Sequence, residues 1–80
     1  MDESNAVTEE AGVFAFIQKG DEARQKCDYE EAYRLYSLAI EENPLFSKAY
    51  YKRGMIRYLQ NNLDAAEEEW HKAWKLEWQK

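Results

Sequence analysis

The sequence predicts an all-α fold, two stacked antiparallel helix hairpins, on three observations. Apolar residues recur at helical spacing along nearly the whole chain and nowhere alternate with period two, so no strand is expected. Turn signals at Cys27-Asp28, Asn43-Pro44 and Asn61-Asn62 cut the chain into four helical segments. The chain also matches itself at a spacing of 34 residues: Ala15/Ala49, Phe16/Tyr50, Gly20/Gly54, Asp28/Asn62, Ala32/Ala66, Tyr36/Trp70 and Ala39/Ala73. A period of that length points to stacked supersecondary units rather than to a closed four-helix bundle.

Residues 1–7 read as a short, flexible acidic lead-in to a domain over 8–80, with one hairpin over about 8–44 and a second over about 46–80. Thr8 followed by Glu9 and Glu10 predicts a helix start, a hydroxyl cap with acids in the first turn. Ala11, Phe14, Ala15 and Ile17 carry that helix to about Lys26. Asp28 is placed to cap the second helix, whose apolar positions are Ala32, Tyr33, Leu35, Tyr36, Ala39 and Ile40. Asn43 ends it, because a residue before proline is pushed out of the helical region.

The third helix, FSKAYYKRGMIRYLQ from Phe46 to Gln60, has no acidic residue. It carries Lys48, Lys52, Arg53 and Arg57 as two like-charged i,i+4 pairs, which an isolated helix disfavours by a few tenths of a kcal/mol. Its apolar residues fall on more than one side, so it is expected to be an inner helix with neighbours before and after. A fourth helix follows from Leu63 or Asp64 nearly to the end.

An 80-residue chain makes one small domain with a marginal core. Hydrophobic residues at 45% and aromatics at 15% suffice for a globular fold. The net charge is −5, and four of the 16 acids lie in the first ten residues, leaving 12 acids against 11 bases elsewhere. No electrostatic footprint for nucleic acid results. A single cysteine, Cys27, fits a reducing compartment, and neither a signal peptide nor a membrane span is visible, so a soluble cytoplasmic protein is expected. His71 has no second histidine or cysteine pair, so no metal site is expected. Glu67, Glu68 and Glu69 are consecutive, point apart on a helix, and read as a solvated face. With no phosphate loop and no nucleophile beside a base, neither enzymatic activity nor a cofactor is expected.

The residues at the 34-residue spacing resemble the tetratricopeptide repeat, whose pattern is W-x2-L-G-x2-Y, then A-x3-F, then P. The first copy reads Phe16-x2-Lys19-Gly20, Ala32-x3-Tyr36, Ala39 and Pro44. The second reads Tyr50-x2-Arg53-Gly54, Ala66-x3-Trp70 and Ala73. Lys19 and Arg53 depart from the leucine place, Ala23 and Arg57 from the tyrosine place, and Trp78 from the closing proline. The resemblance implies that Gly20 faces Ala32 and Gly54 faces Ala66. It also implies a concave groove lined by Phe14, Ile17, Gln18, Asp21 and Arg24 from the first hairpin. Lys48, Tyr51, Lys52, Met55 and Tyr58 line it from the second. Members of that family that clamp acidic chaperone tails carry bases where this chain has Lys48 and Lys52, and an asparagine at the place of Gln18, so at most half of such a clamp is present.

Two functions follow as expectations. The first is a protein–protein interaction module that binds an acidic peptide, ending in a carboxylate or not, in the groove through Gln18, Lys48, Tyr51, Lys52, Met55 and Tyr58. The second is a homodimer acting as an assembly or scaffold element. Ala66, Trp70, Trp74 and Trp78 form one stripe at i, i+4, i+8 and i+12, and Trp74 and Trp78 have no following helix to lean on.

Overall fold

The computed structural model describes the backbone of residues 2–78 and the side chains of residues 12–78. It contains four helices: α1 (Asp2–Gln25), α2 (Tyr29–Glu42), α3 (Ser47–Leu59) and α4 (Leu63–Trp78). There is no strand among the described residues. α1 packs on α2 and α3 on α4, and the two hairpins meet chiefly where α2 packs on α3. The backbone is already helical at Asp2, so the helix expected to begin at Thr8 starts six residues earlier. Asp2 and Glu3 place negative charge at that end, where the helix dipole favours it.

The two hairpins turn in the same way, atom for atom. Cys27 and Asn61 adopt left-handed conformations, with φ of 63° and 68°. The amide of Cys27 donates to Arg24 O and that of Asp28 to Ala23 O, at 2.9 and 2.8 Å. Their counterparts 34 residues later, Asn61 to Tyr58 O and Asn62 to Arg57 O, have the same lengths. This pair of bonds closes a helix with a left-handed residue just past its end. The next helix is then capped at once, since Asp28 Oδ1 accepts from Glu31 N and Asn62 Oδ1 from Ala65 N. Between the hairpins, Asn43 is extended ahead of Pro44, and its side chain accepts from Leu45 N at 3.1 Å.

Val13, Ile17, Ala23, Ala32, Leu35, Tyr36, Ala39, Ala49 and Ile56 form the central cluster, so the core lies within hairpin one and under α3. Tyr36 and Ile56 are fully buried. Each of the two glycines sits under an aromatic ring of the facing helix. A Cβ on Gly20 would lie 2.5 Å from Tyr36 Cε1, and one on Gly54 would lie 2.7 Å from Trp70 Cδ1 and Nε1. The aromatic four residues beyond each alanine fills the space over the glycine, and only a residue without a side chain leaves room for it.

Polar contacts join the hairpins. Lys52 Nζ donates to both oxygens of Asp21 at 2.9 and 3.0 Å. Asp21 also accepts from the Tyr36 hydroxyl. Burial alone would raise the Asp21 carboxyl, but the bonds from Tyr36 and Lys52, with the nearby charge of Arg24, hold it below its ordinary value. Arg53 binds Glu69 through two nitrogens and donates to Ser37 Oγ at 3.1 Å. Glu69 is 6% exposed, which corrects its expected place on a solvated acidic face. The arginine in the repeat's leucine place recruits it, since a half-buried guanidinium is stabilised by a carboxylate. Arg57 lies 3.8 Å from the centre of the Tyr33 ring, so the arginine in the tyrosine place stacks on the neighbouring hairpin. Of the two lysines of α3 expected to face a ligand, Lys52 is therefore satisfied within the fold.

Candidate functional site

One cleft stands out by its walls. It opens between α3 and α4, with a volume of about 560 Å³. Ser47, Lys48 and Tyr51 line it from α3, and Trp70, Trp74 and Trp78 form most of the opposite wall. Ala73 keeps the floor low, and Glu77 accepts from Ser47 Oγ at 2.5 Å across the mouth.

Local sequence explains each wall. The i,i+4 spacing of Trp70, Trp74 and Trp78 puts all three rings on one side of α4. Trp74 and Trp78 lie 6.3 Å apart, and His71 lies 6.2 Å from Trp74. Trp70 is half-buried because Gly54 admits its edge, and its Nε1 donates to the carbonyl of Tyr51 at 3.1 Å. Tyr51 and Tyr58 flank the same indole at 6.3 and 6.0 Å. Lys48 is exposed at the rim and has no acidic partner among the described residues.

The expected site residues divide into three groups. Lys48 and Tyr51, expected in the peptide groove, line one cleft with Trp74 and Trp78, expected at a self-association surface. Lys52 is ion-paired to Asp21 and Met55 is half-buried, while Gln18 and Tyr58 are exposed but outside the cleft wall. Ile17, expected in the groove, is 7% exposed and belongs to the core, because α3 covers it. Trp70, Ala73, Ser47 and Glu77 were not foreseen as walls. The signal was present, since Val13, Ile17, Tyr36 and Ala39 are buried in hairpin one and their mates at 34 residues are Ser47, Tyr51, Trp70 and Ala73.

The other depressions are unlike this one. The one over α1 and α2 is walled by Lys19, Glu22, Lys26, Glu31 and Arg34, and the last two already pair at 2.7 Å. Among the described residues no group of three or more His, Cys, Asp or Glu side chains could hold a metal ion. No described helix is long and apolar enough to cross a membrane. The fold and cleft thus define a small all-α protein of two like hairpins, with an aromatic cleft on the free face of the second. Comparison with family models and with curated proteins finds no match.

Proposed function

We propose that this chain is a non-catalytic protein-interaction module of the tetratricopeptide-repeat type, taking a segment of a partner protein in the α3–α4 cleft. The observation that carries this reading is the exposure of its rings. Trp74 is 57% and Trp78 72% exposed beside Tyr51 at 52%, a contiguous aromatic surface of the size that marks interaction sites. Tyr and Trp offer large contact area at small entropic cost, with polar atoms at their edges. Lys48 at the rim favours a carboxylate on the incoming segment. The single thiol, Cys27, is in keeping with action in the cytoplasm.

The test is selection from a displayed random-peptide library on the immobilised chain. Peptides should be enriched on the wild type and lost on Trp74→Glu, with Lys48→Glu removing those that carry an acid. Enrichment that survives Trp74→Glu would refute the reading. The same rings also support a second reading, a homodimer joined through α4 by Trp74 and Trp78. Sedimentation at micromolar concentration would then give twice the mass of the 9.6 kDa chain, and Trp74→Glu would return it to one.

A further inference from the structure

The molecule contains its own template for what fills the cleft. The equivalent face of hairpin one is not open, because α3 lies on it. Phe46 packs against Phe14 with ring centres 5.9 Å apart, Lys52 reaches Asp21, Arg53 reaches Ser37, and Arg57 covers Tyr33. The two hairpins share their turns, their left-handed residues and their glycine–aromatic crossings, so the contacts of α3 can be carried forward 34 residues. Phe14 becomes Lys48, Asp21 becomes Met55, Tyr33 becomes Glu67, Tyr36 becomes Trp70 and Ile40 becomes Trp74.

On this basis, which rests on the cleft being a binding site, we infer that the occupant is an amphipathic α-helix of a partner protein, laid beside α4 as α3 lies beside α2. Its pattern follows from what each position would meet. The residue in the place of Phe46 meets Lys48 and is acidic, at an N-terminal end where the helix dipole also favours negative charge. The residue in the place of Ala49, which is fully buried, is small. The residue in the place of Lys52 meets Met55 instead of a carboxylate and is apolar, as is the one in the place of Ile56. The one in the place of Arg57 meets the exposed Glu67 and is basic, as is the one in the place of Arg53, whose partners Tyr33 and Ser37 become Glu67 and His71. Acid first and bases two and three turns later is a polarity that an isolated helix itself prefers.

A second copy of the chain does not supply this helix through α1. In that position α1 would fit Lys19 to the place of Arg53, but it would offer Gln18 where an apolar residue is called for and Glu22 where Ile56 sits fully buried. An unpaired carboxylate in an apolar seam is strongly unfavourable, so α1 of a second copy does not fill the cleft.

The chain reports on the cleft directly, since all three of its tryptophans line it. Three synthetic peptides as long as α3, 13 residues, serve as probes. One carries the inferred pattern, one carries it with every charge reversed, and one has a central proline. The first should shift tryptophan emission to the blue on saturation and gain helical circular dichroism. The charge-reversed peptide should bind about tenfold more weakly, three favourable exposed pairs having become unfavourable. The proline peptide should leave the emission unchanged. Equal binding by the proline peptide overturns the helix and leaves the cleft reading intact. No emission change with any peptide overturns the inference, and the library selection then decides whether the cleft reading falls with it. Twice the chain's mass, with emission already blue-shifted before peptide is added, would give the cleft to a second copy and overturn the inference.

Discussion

Gly20→Ala sets helix propensity against packing, and the structure decides between them. Alanine in a helix interior gains about 1 kcal/mol over glycine. The new Cβ would lie 2.5 Å from Tyr36 Cε1 and 2.7 Å from Cδ1, where carbon atoms need about 3.5 Å or more. Something must move by about 1 Å. Tyr36 has nowhere to go, since it is fully buried and its hydroxyl is held by Asp21. The overpacking penalty should therefore fall near the top of the usual range, about 3 kcal/mol, for a net loss of about 2 kcal/mol. In a domain of this size that lowers Tm by about 8–16 °C. Gly54→Ala makes a similar clash, 2.7 Å to Trp70 and 3.1 Å to Glu69 Cβ, but Trp70 borders the open cleft and can swing into it on giving up its bond to the Tyr51 carbonyl. That bond contributes about 1 kcal/mol, so the net loss should be about 1 kcal/mol, smaller than for Gly20→Ala, with a change in tryptophan emission. Urea titrations followed by circular dichroism test both variants, the midpoint moving at constant m. A Gly20→Ala protein as stable as the wild type, or a Gly54→Ala protein losing more, would refute the reasoning.

Cys27→Asn, matching Asn61 in a left-handed position, should raise stability by about 0.5–1 kcal/mol in the same titration. Glu69→Ala leaves the half-buried Arg53 guanidinium without its carboxylate and should lower stability by about 2 kcal/mol, far more than Glu68→Ala on the exposed side. Stability should also fall at both ends of the pH scale. Asp21 titrates below its ordinary value of 3.8 when folded, so its contribution is present above that pH and is lost as pH drops through the folded pKa. Burial first, and then the bond to Asp21, push Tyr36 from 10.0 to about 12, so its contribution is present below pH 10 and is lost as pH rises toward 12. Thermal unfolding of Tyr36→Phe across the alkaline range should lack that decline.

The helices and turns were legible because each is fixed locally, Asp28 capping, Asn61-Asn62 turning and Asn43-Pro44 breaking the chain as expected. The pairing of Arg53 with Glu69 was not, because a carboxylate buried by a partner 16 residues away looks in sequence like its two exposed neighbours. Lys52 was likewise read as a free charge, since nothing local to it reveals Asp21 on another helix. Trp74 and Lys48 were each singled out, but their convergence on one cleft depends on how α3 and α4 cross, which the spacing within either helix does not contain.

The central apolar cluster draws its described members from α1, α2 and α3 and takes none from α4. α4 is held instead by Trp70 over Gly54, by the Glu69–Arg53 pair and by two small buried alanines, Ala66 and Ala73. Amide exchange should accordingly be fastest along α4, which can detach while the other three helices keep their core. The cleft exists only while α4 is docked, so any occupant must slow that detachment by an amount that grows with its concentration. For this helix, affinity for a partner and resistance to local unfolding are one measurement.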